Sequence, residues 1–258
     1  PLYSVSKILE TNSTAYQSSD AWEAAGGGAV GTKHWWGEPL FGYYTSLDAW
    51  VMDRDVQMLT DAGIDFLAVD MSENVIYEEQ LTLLLQTLNK YYQQGFEVPK
   101  VTFTSISNES VSTALTAFYD NTAYSHLWYK RGGEIVKDAD GLSPKTVRAA
   151  RSFGAAMSES AFYGSKENHQ RSYNGTIHVA DEDASLWGYN FAWEFEKAIV
   201  DDPDIILVES WNEWTSERTA ASDDSKPIVL AGNADMANSS DLQPMNGGYG
   251  DDYYMQLV

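Results

Sequence analysis

Apolar residues recur at helical spacing in "DAWVMDRDVQMLTDAG", where Trp50, Val51, Val56, Met58 and Leu59 fall toward one side. Asp48 stands where an N-cap belongs and Gly63 where a helix stops. "IDFLAVD" follows as a short, mostly apolar strand, the kind a parallel sheet covers on both faces. The next stretch, "YEEQLTLLLQTLNKYYQQG", predicts a helix over about 77–95, ended by Gly95. "KVTFTSI" is then a strand, "SVSTALTAFYD" a helix, and "GGEIVKDA" a strand after a glycine turn. Late in the chain "GYNFAWEFEKAIV" predicts a helix and, after Asp-Asp-Pro, "DIILVES" a strand. This alternation predicts an α/β fold with a parallel sheet and covering helices, either a barrel or a doubly wound sheet.

The rhythm lapses twice. Residues 1–34 are polar and small, and their glycine cluster "AAGGGAVGTKH" lacks the lysine and strand context of a phosphate loop. It is expected to be a flexible loop. Residues 153–186 contain almost no apolar run, which is long for a structureless segment unless it is functional or part of it has been removed. Four strands are clear, fewer than a closed eight-stranded barrel needs. Either further strands hide in weak segments such as 101–107 and 176–180, or part of the barrel is absent.

Composition narrows the partners. The 258 residues, 43% hydrophobic and 13% aromatic, suit a globular chain of one large domain or two small ones. With 38 acidic against 16 basic residues the formal charge is −22, so nucleic acid and anionic membranes are poor partners. The absence of cysteine excludes disulfides and thiol chemistry. No run approaches a membrane helix, so no membrane insertion is expected, and no signal peptide is visible. A start at Pro1 without Met reads as processing, and the abrupt apolar ending reads as a cut before a following domain. Asn12, Asn108, Asn174 and Asn238 head glycosylation sequons.

Ligands of α/β folds sit at the carboxyl ends of parallel strands. Asp70 ends "FLAVD", while Glu209 and Glu213 lie at and beyond the end of "DIILV". Two carboxylates from different strands are what glycoside hydrolysis needs, one protonating the leaving oxygen and one acting as base or nucleophile. The bland alternative has Asp70 capping the following helix and Glu209 pairing with a neighbouring base. Aromatics favour the sugar reading: Trp35, Trp36, Tyr43 and Tyr44 flank Glu38, and Trp211 and Trp214 flank Asn212-Glu213. Indole faces beside carboxylates and amides suit the apolar faces and hydroxyl rims of sugars, although each ring could equally fill a core. His34, His169 and His178 lack the spacing of a helical metal site. "DADG" at 138–141 lacks the closing glutamate of a calcium loop and reads as a turn. No metal and no cofactor are expected.

"HWWGEPLFGYYTSLDAWVMDRDVQMLTDAGIDFLAVD" and "DPDIILVESWNEW", with "MSESAFYGSKENHQRSY", "GYNFAWEFEKAI" and "LQPMNGGYGDDYYMQLV", resemble glycoside hydrolase family 71/99-like proteins, relatives of the family 99 endo-α-mannosidases and endo-α-mannanases. The resemblance covers 35–258 and implies a single domain, a secreted (β/α)8 TIM-type barrel acting on an α-linked polysaccharide or glycan, shortened in the middle near 153–154. It places Glu213 on the first glutamate of the family's Asn-Glu-Trp-His-Glu motif. The motif's second glutamate falls on Ser216, and Glu217 lies one residue, about 3.5 Å of chain, beyond. Asp70 is therefore expected as the second catalytic carboxylate, with Glu38, Glu209 and Glu217 as its rivals. Asn212, Arg171 and Trp211 are expected to orient the sugar, with Trp35, Trp36, Tyr44, Trp214 and His169 completing the binding set. The alternative is a glycan-binding or structural extracellular protein on a degenerate hydrolase barrel.

Overall fold

A computed structural model describes residues 3–151, 157–164 and 169–258. In chain order it contains α1 (Val5–Thr11), α2 (Ser19–Ala24), β1 (Lys33–Trp35), α3 (Ala49–Asp61), β2 (Phe66–Asp70), α4 (Glu78–Gln93), β3 (Lys100–Thr104) and α5 (Glu109–Tyr119). There follow β4 (Lys130–Arg131), β5 (Glu134–Ile135), β6 (Lys145–Arg148), α6 (Met157–Phe162), α7 (Tyr189–Asp201), β7 (Ile206–Glu209), β8 (Thr215–Thr219), β9 (Val229–Ala231) and α8 (Asp252–Leu257). These elements fall into two units, one of Pro1–Tyr43 with Lys145–Leu257 and one of Tyr44–Pro144. Among the described residues no helix is long and apolar enough to cross a membrane.

The Tyr44–Pro144 unit follows the hydrophobic pattern closely. The Asp48 carboxylate accepts from the backbone N–H of Trp50 at 3.0 Å and of Val51 at 3.2 Å, occupying two donors that a helix start leaves open. Past the far end of α3, Gly63 takes a positive φ of 69°, a conformation that costs glycine little. Strands β2 and β3 pair in parallel from Phe66 opposite Lys100 to Asp70 opposite Thr104. The apolar stripes of α4 and α5 bury Leu85, Leu88 and Leu115 with Phe103, Leu127 and Trp128 in one core. "GGEIVKDA" forms only one arm of a short antiparallel hairpin, β4 with β5, rather than another wall strand. Residues 139–142 make one 3-10 turn, capped by Asp138 accepting from the Asp140 N–H at 3.0 Å.

The other unit holds the late strand. β6 and β7 pair in parallel, Lys145 opposite Ile206 through Arg148 opposite Glu209. α7 is fastened to the end of β6 by the Asn190 amide, which donates to the carbonyls of Arg148 at 3.1 Å and Ala149 at 3.3 Å. β1, β8 and β9 form a three-stranded antiparallel sheet in the order β1-β8-β9. β6, β8, β9 and β1 are absent from the sequence expectation. "TSERT" is polar at every position, yet Ser216 and Arg218 point inward and are buried while Thr215 and Glu217 are exposed. Two parallel strand pairs are therefore present, and no closed barrel ladder is found among the described residues.

The glycine cluster expected as a flexible loop is instead packed. Val5, Ile8, Ala15 and Trp22 from α1, α2 and the turn between them share a core with Phe162, Ile228 and Leu230. The Trp22 indole N–H donates to the Gly27 carbonyl at 3.0 Å, which also receives the His34 ring Nε2 at 2.7 Å. Arg218, buried on β8, reaches the Gly28 carbonyl at 2.5 Å and Glu23 at 3.0 Å. A side chain at Gly27 would overlap the Trp22 ring. The 153–186 stretch is likewise not structureless: it contains α6, whose Phe162 is buried, while 176–180 contributes one isolated bridge, Tyr173 with His178. The 153–154 junction lies outside the described residues. Of the four sequons, Asn238 is wholly buried, and its side-chain amide is held by the Asp235 carboxylate at 2.8 and 3.1 Å.

Candidate functional site

β7 ends at Glu209 and β8 begins at Thr215, so Ser210–Trp214 must be fixed by something other than a ladder. Three sets of bonds do this. On one side the chain at 240–243 runs alongside: Ser210 N–H donates to the Ser240 carbonyl at 3.2 Å, Leu242 N–H to the Ser210 carbonyl at 3.1 Å and Gln243 N–H to the Trp211 carbonyl at 2.9 Å. Beneath the turn the wholly buried Asp241 carboxylate accepts from the Ser210 hydroxyl at 2.7 Å and the Glu213 backbone N–H at 2.5 Å. On the other side the Trp36 backbone N–H donates to the Trp214 carbonyl at 3.2 Å and its indole N–H to the Glu213 carbonyl at 3.0 Å. The outcome is an anchored backbone that leaves the Asn212 and Glu213 residues exposed.

Trp36 and Trp214 are not open platforms. They are 4% and 2% exposed, and their rings stack face to face with centroids 4.5 Å apart, the Trp214 N–H bonding Gln243. In this fold they carry the Asn212–Glu213 turn. Arg171 is likewise enclosed. Wholly buried, it donates to the Met236 and Asp241 carbonyls at 2.8 and 2.5 Å, with the Tyr249 and Tyr253 rings 4.4 and 4.2 Å from its guanidinium. No surface is left on it for a sugar hydroxyl.

The remaining groups of this unit stay nearer solvent. Trp211 is half-buried and meets Tyr254 edge-on at 6.2 Å. Trp35, also half-buried, meets the partly exposed Tyr43 edge-on at 5.0 Å. Glu38 is half-buried, and its carboxylate accepts from the Asn246 side chain at 3.2 Å while its carbonyl accepts from the Asn246 N–H at 2.8 Å. Burial first, and the neighbouring Glu38 charge second, hold the Tyr43 phenol above its ordinary pKa, keeping it a donor.

The two other candidate carboxylates near the turn differ in their surroundings. Glu209 accepts from Arg148 Nε at 2.7 Å and makes an ion pair with the same guanidinium, the bland alternative realised. Glu217 stands on the exposed face of β8, opposite Lys33 and Ala231. Ser216, on the position of the motif's second glutamate, is buried with its hydroxyl donating to the Asn233 carbonyl at 2.5 Å. His169 is half-buried in an aromatic group, stacked on Tyr173 at 4.0 Å with Trp193 edge-on at 5.6 Å. Its imidazole pKa is lowered, chiefly by burial.

The chain as a whole is similar in fold to solved structures. The chain has a GH99-like fold. It is similar to the GH99 endo-alpha-mannosidase from Bacteroides thetaiotaomicron at a TM-score of 0.50 and 14% identity, over 86% of this chain and 81% of that one. The structure of that enzyme in complex with bis-tris-propane gives a TM-score of 0.48 and 14% identity, over 86% of each chain. No protein-family model matches the chain, and no curated protein does. The likeness is one of fold, and what the residues do rests on their own geometry.

In the Tyr44–Pro144 unit, Asp70 is exposed at the carboxyl end of β2. Its carboxylate accepts from the Ser72 N–H at 3.2 Å and the Ser72 hydroxyl at 2.5 Å, a local turn rather than a cap on the following helix, whose N-cap is Tyr77. Tyr44 is half-buried in the same unit. Sequence reasoning missed Asp241, Gln243 and Asn246. Their only signal was membership of the quoted ending "LQPMNGGYGDDYYMQLV" and the residues just before it, since isolated polar positions carry no periodicity.

Proposed function

We propose that the chain is an endo-acting glycoside hydrolase of α-linked glycans, mannan-like or glucan-like, working at the Asn212–Glu213 turn. The observation that carries this reading is the exposed Glu213 beside Asn212, on a backbone anchored by Asp241 and by the Trp36–Trp214 stack, past the carboxyl end of a parallel strand. A carboxyl group so placed suits protonation of a glycosidic oxygen or activation of a nucleophile. For the second carboxylate we propose Glu38, which belongs to the same unit as Glu213 and neighbours Tyr43. Trp35 and Trp211 are the proposed sugar platforms, and Asn212 the hydroxyl-binding amide. The GH99-like fold supports the glycosidase reading; that the chain is a shortened (β/α)8 barrel and extracellular is part of the proposal.

A second reading has its own support. Ser216 replaces the motif's second glutamate with a buried hydroxyl, and Glu209 is tied to Arg148. Both favour a non-catalytic glycan binder. Glu213→Gln separates the two. Under the first reading it lowers hydrolysis of an α-mannan and α-glucan panel by about 10²–10⁴-fold while the circular dichroism spectrum is kept. Full activity in that variant sinks the catalytic assignment. Absence of turnover in the parent, with saturable binding that Trp211→Ala removes, establishes the binder instead.

A further inference from the structure

We infer that Asp241 is a positioning residue for Glu213, fixing the turn from which its carboxyl group projects; this rests on the reading of Glu213 as the acting carboxylate. Asp241 is wholly buried, an expensive place for a carboxylate unless its oxygens are satisfied. Its Oδ1 accepts from the Glu213 N–H at 2.5 Å and the Ser210 hydroxyl at 2.7 Å, and its Oδ2 accepts from the Ser239 hydroxyl at 2.8 Å. Its backbone carbonyl is held by Arg171 at 2.5 Å, so the acceptor itself is fixed from behind.

One of the donors on that carboxylate is the backbone of the exposed glutamate. The bond fixes the Glu213 peptide plane, hence the direction in which its side chain leaves. The position of Glu213 is thereby coupled to a single buried residue. The donor geometry is that of a support: Asp241 faces the backbone of the turn and the hydroxyls of Ser210 and Ser239.

Asp241→Asn tests this with little change of shape. The amide oxygen can still receive Glu213 and Ser210, and the amide NH2 can donate to the Ser239 oxygen. In a parent that hydrolyses a glycan, the variant is expected to lose tenfold or more in kcat with KM within twofold. An unchanged kcat, or a loss carried by KM alone, overturns the proposal. Amide exchange needs no activity and no variant: in the parent protein the Glu213 N–H should exchange at least tenfold more slowly than an open loop amide. In Asp241→Asn that protection should fall while β2 and β3 stay protected. A freely exchanging Glu213 amide in the parent overturns the proposal outright. A protected amide in a protein that neither cleaves nor binds glycans overturns the functional reading and leaves the support role of Asp241 standing.

Discussion

Replacing Arg171 by Met should destabilise the fold by about 3 kcal/mol, and the sum can be worked from its surroundings. The guanidinium donates to two buried carbonyls, Met236 at 2.8 Å and Asp241 at 2.5 Å, and lies 4.4 and 4.2 Å from two ring centroids. Each carbonyl left without a donor costs about 1–3 kcal/mol. Each desolvated cation–ring contact contributes about 2 kcal/mol. Against these stands the relief of returning a buried charge to water, several kcal/mol. Methionine keeps an unbranched apolar stem, so little cavity forms. At roughly 2–4 °C per kcal/mol for a chain of this size, the expected fall in Tm is about 6–12 °C. Arg171→Lys should fall between parent and Met, because an ammonium cannot span both carbonyls or lie flat between the tyrosines. Thermal melts and urea titrations followed by near-UV circular dichroism read the effect. A Met variant within about 0.5 kcal/mol of the parent, the usual range for surface changes, would refute the buried-support account. Loss of glycan binding at unchanged stability would restore the sugar-orienting role expected from sequence.

Two further outcomes test the amino-terminal region. Gly27→Ala should cost about 1–3 kcal/mol, because the added methyl overlaps the Trp22 indole; a flexible loop there would absorb the change with no shift in urea midpoint. Burial lowers the pKa of His34, so the unfolded chain takes up this proton more readily than the folded one. Stability attributable to His34 is thus intact above about pH 6.5, the unfolded value, and is lost as pH falls below it. His34→Gln should flatten that part of the curve between about pH 7.5 and 5.5, and an unchanged difference between parent and variant across this window refutes it.

What the sequence disclosed and what it concealed have distinct physical origins. α3 and α4 were legible because an amphipathic stripe, an Asp48 cap and glycine stops all point the same way. β7 was legible as an apolar run between a turn and a carboxylate. β8 was not, because its buried positions are Ser216 and Arg218, which earn burial through partners on distant segments rather than through hydropathy. α1 and α2 are short, and single residues such as Trp22 tie them to the core, too few for a period to show. At the candidate site, the position of Glu213 at a strand end was legible from chain order. Which indoles face outward was not: Trp35 and Trp36 are neighbours of the same type, and only the packing of Trp36 on Trp214 separates them. Asp241 was invisible for a similar reason, since its importance lies in which donors converge on it.

The buried Asn238 has a consequence for how the protein can be made. Its side-chain nitrogen is committed to Asp235 inside the fold, and there is no room there for an oligosaccharide. Asn12, Asn108 and Asn174 sit at helix ends or an exposed turn, and their side-chain oxygens already accept local backbone donors. In a host that attaches sugars to nascent chains, a molecule modified at Asn238 cannot close this region. Native material from such a host should therefore carry glycans at some or all of the other three sequons and none at the fourth, with the Asn238-modified chains diverted to the misfolded fraction.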